Sequence, residues 1–454
     1  MRPESLKQRS ISAGAWTGGA NAISQLVRFA GNLVLARLLT PDAFGLMAVV
    51  ATLMMGLNLL SDIGTGPTII QSPRGAEREF LNTAWTLQVV RGIGLWLFGL
   101  LIAFAVTLGQ TNHWFGVGTA YSDGRLPPLI AVATFGLAIL GFTSINLRTA
   151  ERNLTFRRVV SIELAAQLGA LTLMVVLAVL THSVWALIFG GLLSAVLRCT
   201  LSHFMLPGPR ASVRLERSAV QELLGKGKWV LMSSLIGYFA LSGDRLLLAG
   251  MVDGATLGLY SIAFALAGMA PTAFSAILGK VALPAFSEVW RDLPSALPRT
   301  YRKFQQITDS CVGLVAGLLF ISSNALISVL YDSRYHDAGT ILAYLAIGSI
   351  GMRVVVIEQL YLATGQPRLL ALAAVPRVVT LLAGVPIGYS IGQLNGALVA
   401  IVLSQFAQWP QALWYRRRLK LGDLRSNLVL PIALVAGWVV GWLGLHLVSL
   451  LNAP

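Results

Sequence analysis

Charge is scarce in this sequence. Only 12% of its 454 residues are Asp, Glu, Lys or Arg, about half the share of an ordinary soluble chain, and that deficit excludes a water-solvated globule of this length. Cysteine is scarcer still. Cys199 and Cys311 lie in separate apolar runs with no CxxC or Cys/His spacing, which excludes a disulfide framework and a zinc site and leaves both as packing residues. No GxxxxGK(S/T) loop occurs, so nothing in the chain grips a nucleotide phosphate as a Walker motif does. None of the five histidines stands in HExxH, and GxSxG is absent, so no catalytic constellation, metal or cofactor is expected. What is abundant is apolar surface: 56% hydrophobic residues and a mean hydropathy of +0.72. The bilayer is the solvent such a chain is built for.

Thirteen apolar runs are long enough to span it, near 12–36, 44–63, 84–107, 127–146, 159–180, 184–203, 229–250, 256–278, 307–329, 340–361, 370–391, 397–415 and 428–450. The expectation is an all-α integral membrane protein of about thirteen helices, with twelve and fourteen as alternatives. The short polar breaks THS (181–183) and GQLNG (392–396) permit only helical hairpins. The first ten residues, MRPESLKQRS, are polar and basic, and the run after them is too polar for a signal peptide, so the N-terminus is expected to stay cytoplasmic.

With that orientation, 25 of the 34 Lys and Arg fall on the cytoplasmic side and 3 on the other, Arg37, Arg125 and Arg334. Positive charge kept inside explains the net +15, and nucleic-acid binding is not expected. The longest basic connection of the first half, 204–228, reads as a linker between a six-helix lobe at 12–203 and a second at 229–415, with an additional helix at 428–451. Setting RLLTPDAFGLMAV (37–49) against GMVDGATLGLYSI (250–262) gives an internal offset of 213. Two pseudo-symmetric six-helix lobes around a central cavity are the expected architecture.

The first helix carries Thr17, Asn21, Gln25, Arg28 and Asn32, all on one face at 3.6 residues per turn. A second stripe holds Ser234, Tyr238, Ser242 and Arg245, and the offset sets Asn21, Gln25 and Asn32 on Ser234, Tyr238 and Arg245. So polar a face avoids lipid and meets a cavity or a partner helix. The remaining Lys and Arg lie inside runs: Arg28, Arg91, Arg198, Arg245, Arg353 and Arg377. Arg198 is expected to snorkel to the interface, and Arg91 and Arg377 lie near the cytoplasmic ends. Their surplus over Asp62, Glu163, Asp244, Asp309 and Glu358 suits an anionic ligand, and a guanidinium fork fits phosphate. Arg28, Arg245, Arg91, Arg353 and Arg377, with Asn21, Gln25, Asn32 and Tyr238, are the candidate substrate-binding residues. Asp62 and Asp244 are candidates for ion coupling. Asp244 and Arg245, adjacent on a helix, point about 100° apart and should neutralise each other poorly. Pro271, Pro376, Pro386, Pro410 and Pro431 are expected inside helices, as kinks.

Six segments carry a family likeness: LARLLTPDAFGLMAV (35–49), SDIGTGPTIIQ (61–71), EFLNTAWTLQ (79–88), GDRLLLAGMVDGATLGLYSIAF (243–264), LPAFSEVW (283–290) and LATGQPRLL (362–370). In that order, over about residues 12–415, the chain resembles the polysaccharide transporter, or Wzx-type flippase, family of the multidrug/oligosaccharidyl-lipid/polysaccharide exporter superfamily. The resemblance implies alternating access that moves an undecaprenyl-pyrophosphate-linked oligosaccharide between leaflets of a bacterial inner membrane, for exopolysaccharide, capsule or O-antigen synthesis. It also suggests a polysaccharide polymerase and co-polymerase as partners. Arg28 matches the arginine that recurs in the first helix of related flippases. Thirteen helices depart from the twelve or fourteen of relatives. A cation-coupled multidrug antiporter of the same superfamily would instead favour acidic and aromatic cavity groups, and a non-transporting scaffold of a synthase complex would move no lipid-linked sugar.

Overall fold

The computed structural model describes residues 6–61, 65–153, 155–224, 227–421 and 428–451, and every regular element among them is helical. Two compact units divide the chain, Met1–Leu235 and Ile236–Pro454. Nine described helices are long and apolar enough to cross a membrane, or ten if one bent pair forms a single span. The thirteen expected spans are not reached on that measure.

In the first unit, α1 (Leu6–Leu38) breaks before Pro41, which opens α2 (Pro41–Ser61), as a proline at a helix start should. A short α3 (Thr65–Gln71) leads to the long α4 (Arg78–Thr111). α4 packs backbone-close on α5 (Leu126–Gly141): a Cβ on Gly92 would come within 2.8 Å of Gly141 Cα, and one on Gly99 within 2.4 Å of Thr134 Oγ1. Small residues at such crossings let helices meet without a hydrophobic force between them. α6 (Asn146–Arg152) continues α5 after a 64° bend. α7 (Phe156–Thr181) and α8 (Trp185–Met205) form a hairpin closed by His182 in the left-handed region at φ 48°.

Past α8 the chain returns along the start of α4. The buried side chains of Asn82, Thr83 and Thr86 accept hydrogen bonds from the backbone amides of Ser212, Glu216 and Arg214 at 3.0–3.1 Å. Arg74 adds a bridge from outside, donating to both carboxylate oxygens of Glu216 at 2.8 and 2.9 Å and to Glu77 at 2.8 Å. The Ser218 hydroxyl, with Arg74 after it, holds the Glu216 carboxyl below its usual range. α9 (Arg217–Leu224) then buries Ala219 and Leu223 against Ile69, Phe80 and Leu81. Residues 211–224, read from sequence as part of a linker, are thus fastened to the first unit.

α10 (Gly227–Ala249) crosses the boundary between units. α11 (Gly254–Asp292) starts under Asp253, whose side chain accepts from Thr256 N at 2.9 Å, a cap worth about 1 kcal/mol. The starts of α2 at Pro41 and α11 at Gly254 are separated by the same offset of 213 as the sequence repeat. α12 (Leu297–Leu330), α13 (Ala338–Gly348) and α14 (Val355–Ala363) follow, the last two joined by a 3-10 turn at Ser349–Val354. α15 (Pro367–Phe406) is two antiparallel helices: Gly392 and Gln393 leave helical geometry, and Gly384 faces Ala400 as Gly388 faces Gly396. The expected hairpin at 392–396 is therefore present.

α16 (Trp409–Arg418) carries Pro410 at its start, and Pro431 lies in the first turn of α17 (Val429–Leu451). Neither lies in a helix interior, contrary to expectation: at those positions the missing N–H has no helical acceptor to lose, and the break between α15 and α16 falls just before Pro410. Pro271, Pro376 and Pro386 do lie inside helices, and Pro284 joins them. α17 lies directly on α12. A Cβ on Gly317 would stand 2.1 Å from Leu434 O, and one on Gly437 2.1 Å from Leu314 O. Cys311 is exposed on α12 and Cys199 is half-buried, so Cys311 is not the packing residue expected.

Candidate functional site

The polar stripe of α1 keeps an open face. α1 seats on α7 through Gly31, whose absent Cβ leaves room for Leu171, and through a reciprocal pair in which Ser24 Oγ donates to Gln167 Oε1 at 2.5 Å and Gln167 Nε2 donates to Ser24 O at 2.9 Å. Turning from that edge by 100° per residue brings up Asn21, Gln25, Arg28 and Asn32, all exposed within the first unit. Arg28 Nη2 reaches Ser24 Oγ at 3.4 Å, which steers the guanidinium along the stripe. The side chain of Thr17, and all of Asp62, lie outside the described residues.

The matching stripe of α10 differs. Tyr238 and Ser242 are buried, and Arg245 is partly so. Its Nη2 donates to Leu241 O at 2.8 Å, and its guanidinium lies 4.3 Å from the centroid of Phe264. Its Nε also stands 3.7 Å from Asp244 Oδ1. The two atoms make no hydrogen bond, and each is buried without a hydrogen-bond partner among the described residues, so the pair is a loose one, in keeping with neighbours 100° apart that neutralise each other poorly. The second oxygen of Asp244 accepts from the Tyr260 hydroxyl. Arg377 of α15 interacts electrostatically with Asp244, Tyr260 and Glu358, so five polar groups gather inside the second unit.

Arg353 is anchored elsewhere in that unit. It donates to Asp309 at 2.9 Å and lies 5.2 Å from the centroid of Trp409. Asp309 is fully buried and also accepts from Gln305, which in turn accepts from Tyr301 at 2.9 Å. Here a local carboxylate takes up the charge that the sequence offered to a ligand.

Arg91 lines a third place, a cavity of about 180 Å³ inside the first unit. Its Nε donates to Ser61 Oγ and its Nη2 to Asn58 O, both at 2.9 Å. Arg148 and Arg198 line the same cavity. Arg198 thus does not simply snorkel: it pairs with Glu163 of α7 at 3.3 Å. Sequence reasoning assigned Arg148 to topology and passed over Gln88 and Thr143, which also line the space. The available signal was the polar pair Thr143-Ser144 near the end of the 127–146 run, where the bend between α5 and α6 falls.

A sequence profile of the polysaccharide biosynthesis protein family matches residues 34–340. The lipopolysaccharide biosynthesis protein WzxC of Escherichia coli (strain K12) is 23% identical over 344 residues, covering 76% of this chain and 67% of the relative. The fold is similar to that of lipid II flippase MurJ in an inward closed conformation, with a TM-score of 0.68 at 13% identity, covering 93% of this chain and 91% of that one. It is also similar to an inward-facing multidrug resistance MATE transporter of the MOP superfamily, with a TM-score of 0.64 at 15% identity, covering 87% and 94% of the two chains. Both structural likenesses concern architecture alone.

Proposed function

The chain belongs to the polysaccharide biosynthesis protein family, and from that membership we propose that it is a flippase carrying an undecaprenyl-pyrophosphate-linked oligosaccharide from the cytoplasmic to the periplasmic leaflet of a bacterial inner membrane. The observation that carries this reading is the uncovered stripe Asn21, Gln25, Arg28 and Asn32 on an otherwise membrane-length helix. Sugar hydroxyls stripped of water cost several kcal/mol each without a partner, whereas a prenyl tail can remain in lipid throughout. A carrier therefore needs a polar surface for the head group only. Amide side chains at Asn21, Gln25 and Asn32 both donate and accept, which suits hydroxyls. Arg28 supplies a forked cation for a phosphate. In the second unit Arg245 is the corresponding cation, and Asp244 beside it is the candidate for coupling to an ion.

Membership in the family and the similarity to WzxC support a role in polysaccharide synthesis. The cytoplasmic N-terminus belongs to the same reading and rests on the distribution of basic residues. The testing experiment reconstitutes the purified protein in vesicles with a fluorescent undecaprenyl-pyrophosphate-linked sugar placed in the outer leaflet, and follows its protection from an added glycosidase. Protection that grows with time in protein-containing vesicles alone is the expected result. Protection no faster than in protein-free vesicles would remove the flippase reading.

A further inference from the structure

A 64° bend separates α5 from α6 inside the first unit. Broken helices are tolerated at membrane depth where they line a cavity and their freed polar groups find partners. Here the partners are specific. Gln88 of α4 donates from Nε2 to Gly141 O and Thr143 O, each at 3.0 Å, and Ser202 of α8 accepts from Ser144 N at 3.0 Å. One group at the bend is left over. Thr143 is 8% exposed, its hydroxyl has no hydrogen-bond partner among the described residues, and it lines the cavity of about 180 Å³. A buried hydroxyl without a partner is costly, and a ligand with acceptor oxygens seated in the cavity would satisfy it.

The rest of the wall fixes the ligand's charge. Arg91, Arg148 and Arg198 approach from α4, α6 and α8, and no carboxylate lines the space among the described residues. Arg148 uses Nη1 on Glu151, and Arg198 uses Nη2 on Glu163. A guanidinium has five N–H donors in a fork, so each is oriented by its acid and keeps donors for the cavity. The close crossing of Gly92 and Gly141 forms part of the wall, so the space exists because two backbones meet there and the chain then turns away.

We infer that this cavity is a phosphate-binding site, set in the first unit apart from the α1 stripe, in which arginine forks and the Thr143 hydroxyl hold the oxygens of one phosphate group. The inference rests on this geometry and not on the flippase reading. The group can be free phosphate or the phosphodiester of an anionic lipid, since both present the same oxygens.

The test uses the full chain, purified in detergent and stripped of lipid. One arm measures the thermal unfolding shift produced by sodium phosphate against sodium chloride at equal ionic strength. The other counts phosphatidylglycerol adducts by native mass spectrometry, with phosphatidylcholine as reference. A phosphate-specific shift without lipid adducts assigns the site to a soluble anion, and phosphatidylglycerol adducts without a phosphate shift assign it to lipid. Arg198→Gln should weaken whichever binding is seen by about tenfold, the loss of one charge-assisted hydrogen bond. Thr143→Val, which keeps the shape and removes the hydroxyl, covers the case in which the arginine variant does not fold. It should leave the ligand-free protein as stable as the parent or more so, while weakening binding. No response in either arm, or equal binding by the parent and Thr143→Val, would overturn the inference. Neither result bears on transport, which the vesicle assay reads separately.

Discussion

Asp309 is held from two sides inside the second unit: Arg353 Nη2 donates to one oxygen at 2.9 Å and Gln305 Nε2 to the other at 2.8 Å. The carboxylate is fully buried and the arginine nearly so. Removing one partner of such a pair costs about 3–5 kcal/mol, because a charge is left without compensation. Arg353→Met should therefore lower the unfolding temperature sharply. Adding Asp309→Leu to it should restore most of the loss, a rescue expected only if the pair is structural. Fluorescence-detected size exclusion after a heating series measures both. No rescue in the double variant would return Arg353 to the list of ligand-binding residues.

The α1 stripe makes a prediction about access. In a background with Cys199→Ser and Cys311→Ser, Asn21→Cys and Gln25→Cys should react with a membrane-impermeant thiol reagent. Ile23→Cys, exposed on another face of the helix, is the lipid-facing control and should not. Tyr238→Cys and Ser242→Cys should react slowly, since both parent residues are buried. Stripe cysteines as inert as the one at 23 would turn the stripe into a packing surface.

Arg28→Ala should abolish or severely reduce polysaccharide export while leaving the protein in the membrane at its usual level. A charge-assisted hydrogen bond is worth roughly 1.5–3 kcal/mol, so a loss of about tenfold to a hundredfold is expected. Arg28→Lys should rescue only in part, because it keeps the charge and loses the fork. The measurement is complementation of a flippase-deleted strain, with immunoblots of membranes in parallel. Full export by Arg28→Ala would remove the cation from the mechanism.

The connection between α4 and α5 should loosen in acid. Arg125 binds Asp123 and Asp42, and its hydrogen bond holds the Asp123 carboxyl below the usual carboxylate range. A depressed folded pKa contributes stability above the unfolded value, about 3.9, and loses it as pH falls through the folded value. Hydrogen exchange at residues 119–126 should thus be slow at pH 5 and speed up below about pH 4 by more than the intrinsic chemistry. Asp123→Asn should flatten that excess, and an unchanged excess would place its origin outside this cluster.

Most of the architecture was legible because apolar run length and helical period are properties of the sequence alone. The GQLNG break read correctly as a hairpin since five polar and small residues between two long apolar runs leave a reversal as the only option. The stripe of α1 was legible for the same reason, as spacing dictates a shared face. The stripe of α10 was not, because whether a polar face is covered depends on what packs against it, and Tyr238 and Ser242 turn out buried. Charge pairing was the least legible. Asp309 and Arg353 lie far apart in the chain, and only the packing of α12 against the 3-10 turn brings them together. Arg148, among the basic residues of a loop, gave no sign that it would face a cavity with Arg91 and Arg198.

The fit of α17 on α12 also orders events during synthesis. α12 carries a trench at Gly313 and Gly317 that α17 fills, backbone against backbone, and all of α13 to α16 must emerge from the ribosome between the two. Until α17 has been made, no helix fills that trench. Arrival of α17 is then the step that completes the packing around α12, and a nascent protein stalled near residue 420 would leave the trench at Gly313 and Gly317 open.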